Sequence, residues 1–191
     1  RPVLEENEAL LLAQEIISSF SLRFSANGLL RRISGIKNQS FPASELPEGV
    51  LAAYDRLLES YGVMDYDDIL LKTIAQLESG KKERSLGGFA HLLVDEFQDI
   101  NPLQYRLIQL WRRDHGSLFC IGDANQSIYG FRGASAECFS RLASDYPECR
   151  QIILQENYRS TPEILSCAQP VVHGDALRPK RPSGSKVQLV R

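Results

Sequence analysis

An apolar run from Leu92 to Val94 ends on two adjacent carboxylates, Asp95 and Glu96, with an amide and a third carboxylate, Gln98 and Asp99, just behind. Like charges side by side at the end of a buried segment are unfavourable unless a cation or a proton relieves them. A bound Mg2+ would do so: Asp95 suits its coordination sphere, and Glu96, directed elsewhere as the chain leaves the strand, suits orienting and polarising an attacking water. That division of labour is the one nucleoside triphosphate hydrolysis needs. For the pair taken alone, an acidic helix start with Pro102 in the first turn is the more economical reading.

Two further stretches shift the balance. In "SLFCIGDANQSIYGFRGA", Gly122 permits an abrupt turn and Gln126 offers an amide able to sense a phosphate or a water. Tyr129, Phe131 and Arg132 then place two rings and a cation within four residues. Rings beside a cation suit single-stranded nucleic acid, where stacking contributes about 1–3 kcal/mol per base. A core aromatic pair is the alternative, although Gly130 and Gly133 favour a tight loop. In "LQENYRSTPEIL", Ser160 or Thr161 can cap a helix begun by Pro162, with Arg159 just before it and able to reach a phosphate.

These groups need a scaffold. Leu12, Ile16 and Phe20 share one face of "NEALLLAQEIISSF", and Val50, Tyr54, Leu57, Leu58 and Tyr61 one face of "PEGVLAAYDRLLESYG", with Pro47 in a first turn and Gly62 as C-terminal cap. Between them the polar, turn-rich chain predicts one brief helix and a loop. A third helix should start at Asp65, with Asp68 three residues on as in a capping box and Leu70, Ile74 and Leu77 as its buried stripe. Capping and the helix dipole explain the cluster Asp65, Asp67 and Asp68 more cheaply than a metal does.

From residue 89 the pattern becomes α/β. "FAHLLV", "SLFCI" and "QIIL" read as strands buried on both faces of a parallel sheet, with helices in "NPLQYRLIQLWRRD" and "AECFSRLASDY". Ligands of open α/β sheets sit beyond the carboxyl ends of the strands, which is where the residues above fall.

The 191 residues, 43% apolar and 24% charged, suit a globular chain with one sizeable core or two small ones. No apolar run is long enough to span a bilayer, and the first residues are too acidic for a secretory signal, so no membrane partner and a cytoplasmic location are expected. Cys120, Cys138, Cys149 and Cys167 form no CxxC pair and read as reduced core thiols; His91, His115 and His173 are scattered. With a net charge of -2, any polyanion must be held by local basic residues.

Together, "VDEFQD", "GDANQSIYGFRGA" and "NYRST", in that order, closely resemble motifs II, III and IV of the UvrD/Rep-like superfamily 1 DNA helicases. "ISGIKN" resembles a segment of that family's helical subdomain 1B, and "YGVMDYDDILL" the element leading back into its first motor domain. The resemblance covers most of residues 30 to 170. It implies a RecA-like, P-loop NTPase type of parallel sheet behind an N-terminal helical subdomain: part of 1B in 1–64, part of the first RecA-like domain in 65–150 and the start of the second in 151–191. It further implies ATP and Mg2+ as cofactors and single-stranded and partly duplex DNA as partner. Asp95 becomes the Mg2+ ligand, Glu96 the catalytic carboxylate and Gln126 the link between γ-phosphate and DNA. Tyr129 and Phe131 stack on bases, Phe131 standing where many members have Trp, with Arg132 near the same junction; Tyr158 stacks on adenine and Arg159 contacts the γ-phosphate.

The family's Walker A loop, G-x-x-x-x-G-K-[ST], has no match here. "SGKKE" comes nearest, yet Ala75 stands at the place of the first glycine and Lys82 at that of Ser or Thr. Motifs V and VI are also missing after residue 170. The expectation is therefore an internal fragment of an ATP-dependent 3'-to-5' helicase serving repair or recombination, inactive by itself and prone to self-associate through exposed core surface. The alternatives are a helicase-nuclease subunit of the AddA or RecB type, or a truncated module that binds DNA or a partner without catalysis.

Overall fold

The computed structural model describes residues 1–79, 88–127, 138–171 and 176–188. They form two compact units, residues 1–141 and 142–191.

The first unit opens with four helices whose ends are set by local chemistry. In α1 (Glu6–Phe20), the Glu5 amide donates to Glu8 Oε2 at 3.0 Å. In α2 (Ala26–Lys37), Ser25 Oγ accepts from the Gly28 amide at 3.1 Å. Left-handed glycines, Gly49 and Gly62, bound α3 (Val50–Tyr61). Asp65 Oδ1 caps α4 (Tyr66–Glu78) by accepting from the Asp68 amide at 2.7 Å, as expected. The brief helix expected between α1 and α3 is a full twelve residues, because Leu29 and Ile33, one turn apart, both bury against Leu12, Ile16, Val50, Tyr54 and Leu58. Phe20 and Tyr61, expected on the apolar faces, are partly or largely exposed at the last positions of their helices.

A βαβ element follows. Strand β1 (Phe89–Val94) pairs in parallel with β2 (Arg112–Cys120), matching Leu92 with Leu118, Leu93 with Phe119 and Val94 with Cys120. The crossover helix α5 (Pro102–Trp111) starts with Pro102 behind a reciprocal cap between Asn101 and Gln104, at 2.8 and 3.0 Å. Ile74 of α4 packs on Leu103 and Leu107 of α5, with Leu70 and Leu77 at the margin of the same cluster. Burial on both faces of the strands is not observed. Leu93 is 73% exposed and its pairing partner Phe119 53%, so one face of this two-stranded sheet lies open among the described residues. Side chains alternate across a strand, and only the face carrying Leu92 and Val94 is partly covered.

The boundary between the units falls within α6 (Cys138–Asp145). In the second unit, "QIIL" is not a strand: Ile152, Ile153 and Leu154 are exposed and unpaired in the backbone ladder. Among the described residues the pairing there is limited to β3 (Glu156–Asn157) beside β4 (Arg178–Pro179), parallel, with α7 (Pro162–Ala168) after β3. An apolar run becomes a strand only when a neighbour supplies its hydrogen bonds. No described helix is long and apolar enough to cross a membrane.

Candidate functional site

Beyond Val94 the chain turns sharply. Glu96 adopts the left-handed conformation, φ 50°, at a penalty of about 1–2 kcal/mol for a residue with a Cβ. Its amide donates to Asp95 Oδ1 at 2.9 Å. The turn is anchored behind by Phe97, fully buried, whose amide donates to the Ile121 carbonyl at 2.9 Å and whose ring meets Tyr105 and Phe139 edge-on. Asp95 and Glu96 are both exposed at the C-terminal end of β1. Neither caps α5, since Asn101 does; Glu96 stands at the N-cap of the short 3-10 turn Phe97–Asp99 and makes no side-chain hydrogen bond to it.

Gln98 is the centre of the arrangement, 1% exposed. Its Nε2 donates to Glu96 Oε2 at 2.7 Å, and its Oε1 accepts from the Asp123 amide at 3.0 Å. The Gln98 carbonyl accepts from Ser127 Oγ at 3.2 Å. Gly122 is required beside it, because a Cβ there would lie 2.5 Å from Gln98 Oε1 and 2.9 Å from the Phe139 ring. Asp123 holds the short turn Ala124–Gln126: Oδ1 accepts from the Asn125 amide at 3.0 Å and Oδ2 from Gln126 Nε2 at 2.8 Å. Glu96 and Gln126 are thus connected through Gln98 and Asp123. Sequence reasoning noted the amide behind the carboxylates but gave it no role.

Asp95 is a hard oxygen donor at a strand end. Mg2+ at nucleotide sites takes one or two carboxylates with phosphates and waters completing its shell. Among the described residues no group of three or more His, Cys, Asp or Glu could form an all-protein cage. One exposed carboxylate with a second beside it fits an ion held chiefly by its nucleotide.

Tyr129, Phe131 and Arg132 lie outside the described residues. Tyr158 and Arg159 belong to the second unit and are exposed there. Asn157 Oδ1 accepts from the amides of Arg159 and Ser160, at 3.0 and 2.8 Å, which fixes the turn that presents Arg159. The expected hydroxyl cap of α7 is not made. Thr161 occupies the N-cap without a side-chain hydrogen bond to the first-turn amides, and its Oγ1 is buried beside Gly184. Tyr158 Oη donates to Glu156 Oε2 at 2.6 Å, and Lys180 pairs with Glu156 Oε1 at 2.7 Å. The Lys180 and then the Tyr158 hydrogen bonds hold the Glu156 carboxyl below its ordinary range, and the Glu156 contact pushes the Tyr158 phenol up.

The cluster Asp65, Asp67 and Asp68 is satisfied by protein groups. Lys37 Nζ reaches Asp65 Oδ2 and Asp68 Oδ1, and Asn38 Nδ2 donates to Asp67 Oδ1 at 2.6 Å while Asn101 Nδ2 donates to Asn38 Oδ1 at 2.9 Å. This network runs from the end of α2 to the start of α5, close behind the carboxylate turn in sequence.

The family described as UvrD/REP helicase N-terminal domain matches residues 6–147. The chain is 36% identical over 179 residues to ATP-dependent DNA helicase UvrD1 of Mycobacterium tuberculosis, covering 82% of this chain and 23% of that protein. It is 34% identical over 187 residues to ATP-dependent DNA helicase PcrA of Staphylococcus epidermidis, covering 88% and 26%. With PcrA of Staphylococcus aureus the identity is 34% over 177 residues, covering 86% and 24%. The chain spans about a quarter of the length of the curated relatives it matches.

Proposed function

Because the chain belongs to the UvrD/REP helicase family, we propose that the protein carrying it is an ATP-dependent DNA helicase, in which ATP hydrolysis drives movement along single-stranded DNA and separation of the duplex. The observation that carries this reading is the position of Asp95 and Glu96 at the C-terminal end of a parallel strand, with Glu96 linked to Gln126 through hydrogen bonds. Residues 65–150 are then part of a first RecA-like domain, 151–191 the start of a second and 1–64 part of a helical subdomain. A cytoplasmic location, 3'-to-5' movement and work in DNA repair or recombination complete the proposal.

Glu96 orients the attacking water and accepts its proton as the γ-phosphate is displaced in line. Asp95 is the residue to hold Mg2+, which when bound neutralises charge on the phosphates. Gln126 senses the γ-phosphate, Arg159 neutralises the charge that develops on it and Tyr158 stacks on the adenine. Tyr129, Phe131 and Arg132 hold single-stranded DNA.

The test is ATP turnover, with single-stranded DNA present, by the full-length protein. Glu96→Gln should remove turnover by about a thousandfold while nucleotide binding is kept; turnover undiminished in that variant overturns the proposal. The isolated chain, which contains no G-x-x-x-x-G-K-[ST] loop, should not hydrolyse ATP. Turnover by the isolated chain that Glu96→Gln abolishes would refute that part. The open face carrying Leu93, Phe119 and Ile121 supports self-association of the isolated chain, to be read by sedimentation.

A further inference from the structure

We propose that Gln98 is the positioning residue for the hydrolytic carboxylate: one buried amide fixes Glu96 and ties it to the Gly122–Ser127 loop. The inference rests on the reading of Glu96 as the carboxylate that acts on water.

Glu96 is exposed, so water alone could satisfy its oxygens. A free glutamate on a surface keeps rotamer freedom of up to about 2 kcal/mol, and a carboxylate that must aim at one water cannot remain in that state. Two features restrict it. The left-handed backbone at φ 50° sets where the side chain departs, and Gln98 Nε2 at 2.7 Å from Oε2 holds its tip. The orientation of the Gln98 amide is not ambiguous: the Asp123 main-chain N–H can only donate, so Oε1 faces it and Nε2 faces Glu96. Gln98 itself cannot wander, being enclosed at 1% exposure with its carbonyl bound to Ser127 Oγ.

The second end gives the clamp a further property. Oε1 is held by the backbone of the loop that carries Gln126, and Gly122 leaves no space between them. A shift of that loop changes the Gln98 acceptor contact and, through the same rigid amide plane, the donor contact to Glu96. The loop and the carboxylate are coupled through one side chain.

Two substitutions separate the ends. Gln98→Glu, assayed up to pH 9 so that a proton shared with Glu96 is lost, retains an acceptor for the Asp123 amide but offers Glu96 an oxygen in place of an N–H; Gln98→Leu removes both bonds at similar size. In the full-length protein with saturating oligothymidylate, kcat for ATP should fall about a hundredfold in both, with KM changing less than about threefold. Hydrogen exchange at the Asp123 amide should stay slow in Gln98→Glu and accelerate in Gln98→Leu. Gln98→Glu keeps the test decisive should Gln98→Leu fail to fold. Wild-type kcat in Gln98→Glu, or a loss carried by KM, overturns the positioning role alone. Absence of Glu96-dependent turnover in the wild-type protein overturns the functional reading, and this role with it.

Discussion

Lys37 Nζ lies 2.8 Å from Asp65 Oδ2, joining the last residue of α2 to the residue that caps α4. The ammonium also reaches Asp68 at 2.9 Å and Asp55 at 3.1 Å and stands 5.1 Å from the centre of the Tyr54 ring, with its side chain 4% exposed. Lys37→Met should therefore destabilise the chain by about 3 kcal/mol, since it strands partly buried carboxylates, and denaturant unfolding would measure it. Burial acts to lower the Lys37 pKa, but the Asp65 hydrogen bond and charge, with Asp68 and Asp55, outweigh it and the net shift is upward. A raised lysine contributes its stability below the ordinary value of about 10.4 and loses it only as pH rises past the native one, so the contribution is intact at neutral pH.

Asp67 behaves in the opposite sense. Burial raises its carboxyl pKa, against the hydrogen bonds of Ser34 and Asn38 that lower it. Its ionised form is thus a stability penalty at neutral pH. That penalty lifts as pH falls through the raised native value and is gone below the ordinary aspartate value of about 3.9. Asp67→Asn should be more stable than wild type at pH 7, with the difference closing below pH about 4, as paired urea titrations would reveal.

Two glycines should respond differently to alanine. Gly62 has φ 68° with nothing within 4 Å of an added Cβ, so Gly62→Ala should lose about 1 kcal/mol through backbone strain alone and leave ATP turnover unchanged. At Gly122 the added methyl meets Gln98 Oε1, the Phe139 ring and the Phe97 amide. Gly122→Ala should lose about 1–3 kcal/mol and also reduce kcat, because the group it displaces is the one that holds Glu96. Thermal midpoints beside turnover numbers for the pair would separate the two effects.

Tyr158 should matter to nucleotide affinity and little to folding. It is exposed, and its hydroxyl contacts an exposed Glu156. Tyr158→Ala should raise KM for ATP about tenfold if stacking is lost, with the unfolding midpoint unchanged, and Tyr158→Phe should stay near wild type. An equal loss in both variants would point to the hydroxyl instead.

Local signals were legible in the residues, and pairings across the chain were not. The Asp65 cap, the Gly62 terminus, the strand Phe89–Val94 and the helix after Pro102 each follow from chemistry within a few positions. Strand β2 begins at Arg112, in residues that continue a helical pattern, because its register is set by Phe89 and His91 on another strand. Lys37 gave no sign of its three aspartates, the nearest of them 18 positions on. Gln98 was visible as an amide behind two carboxylates, yet its second partner is the backbone of residue 123, and no side-chain pattern encodes a main-chain N–H. "QIIL" carries the composition of a strand, yet no neighbour among the described residues pairs it.

The group that grips Glu96 is an amide, and an amide neither gains nor loses a proton between pH 5 and 9. A histidine or a lysine in that place would have made the grip a function of acidity, and an acid would have competed for the same charge. With Gln98, the donor side of the contact at 2.7 Å is the same at every pH in that range. The amide of the clamp therefore adds no inflection of its own to the acid–base profile that the titrating groups set.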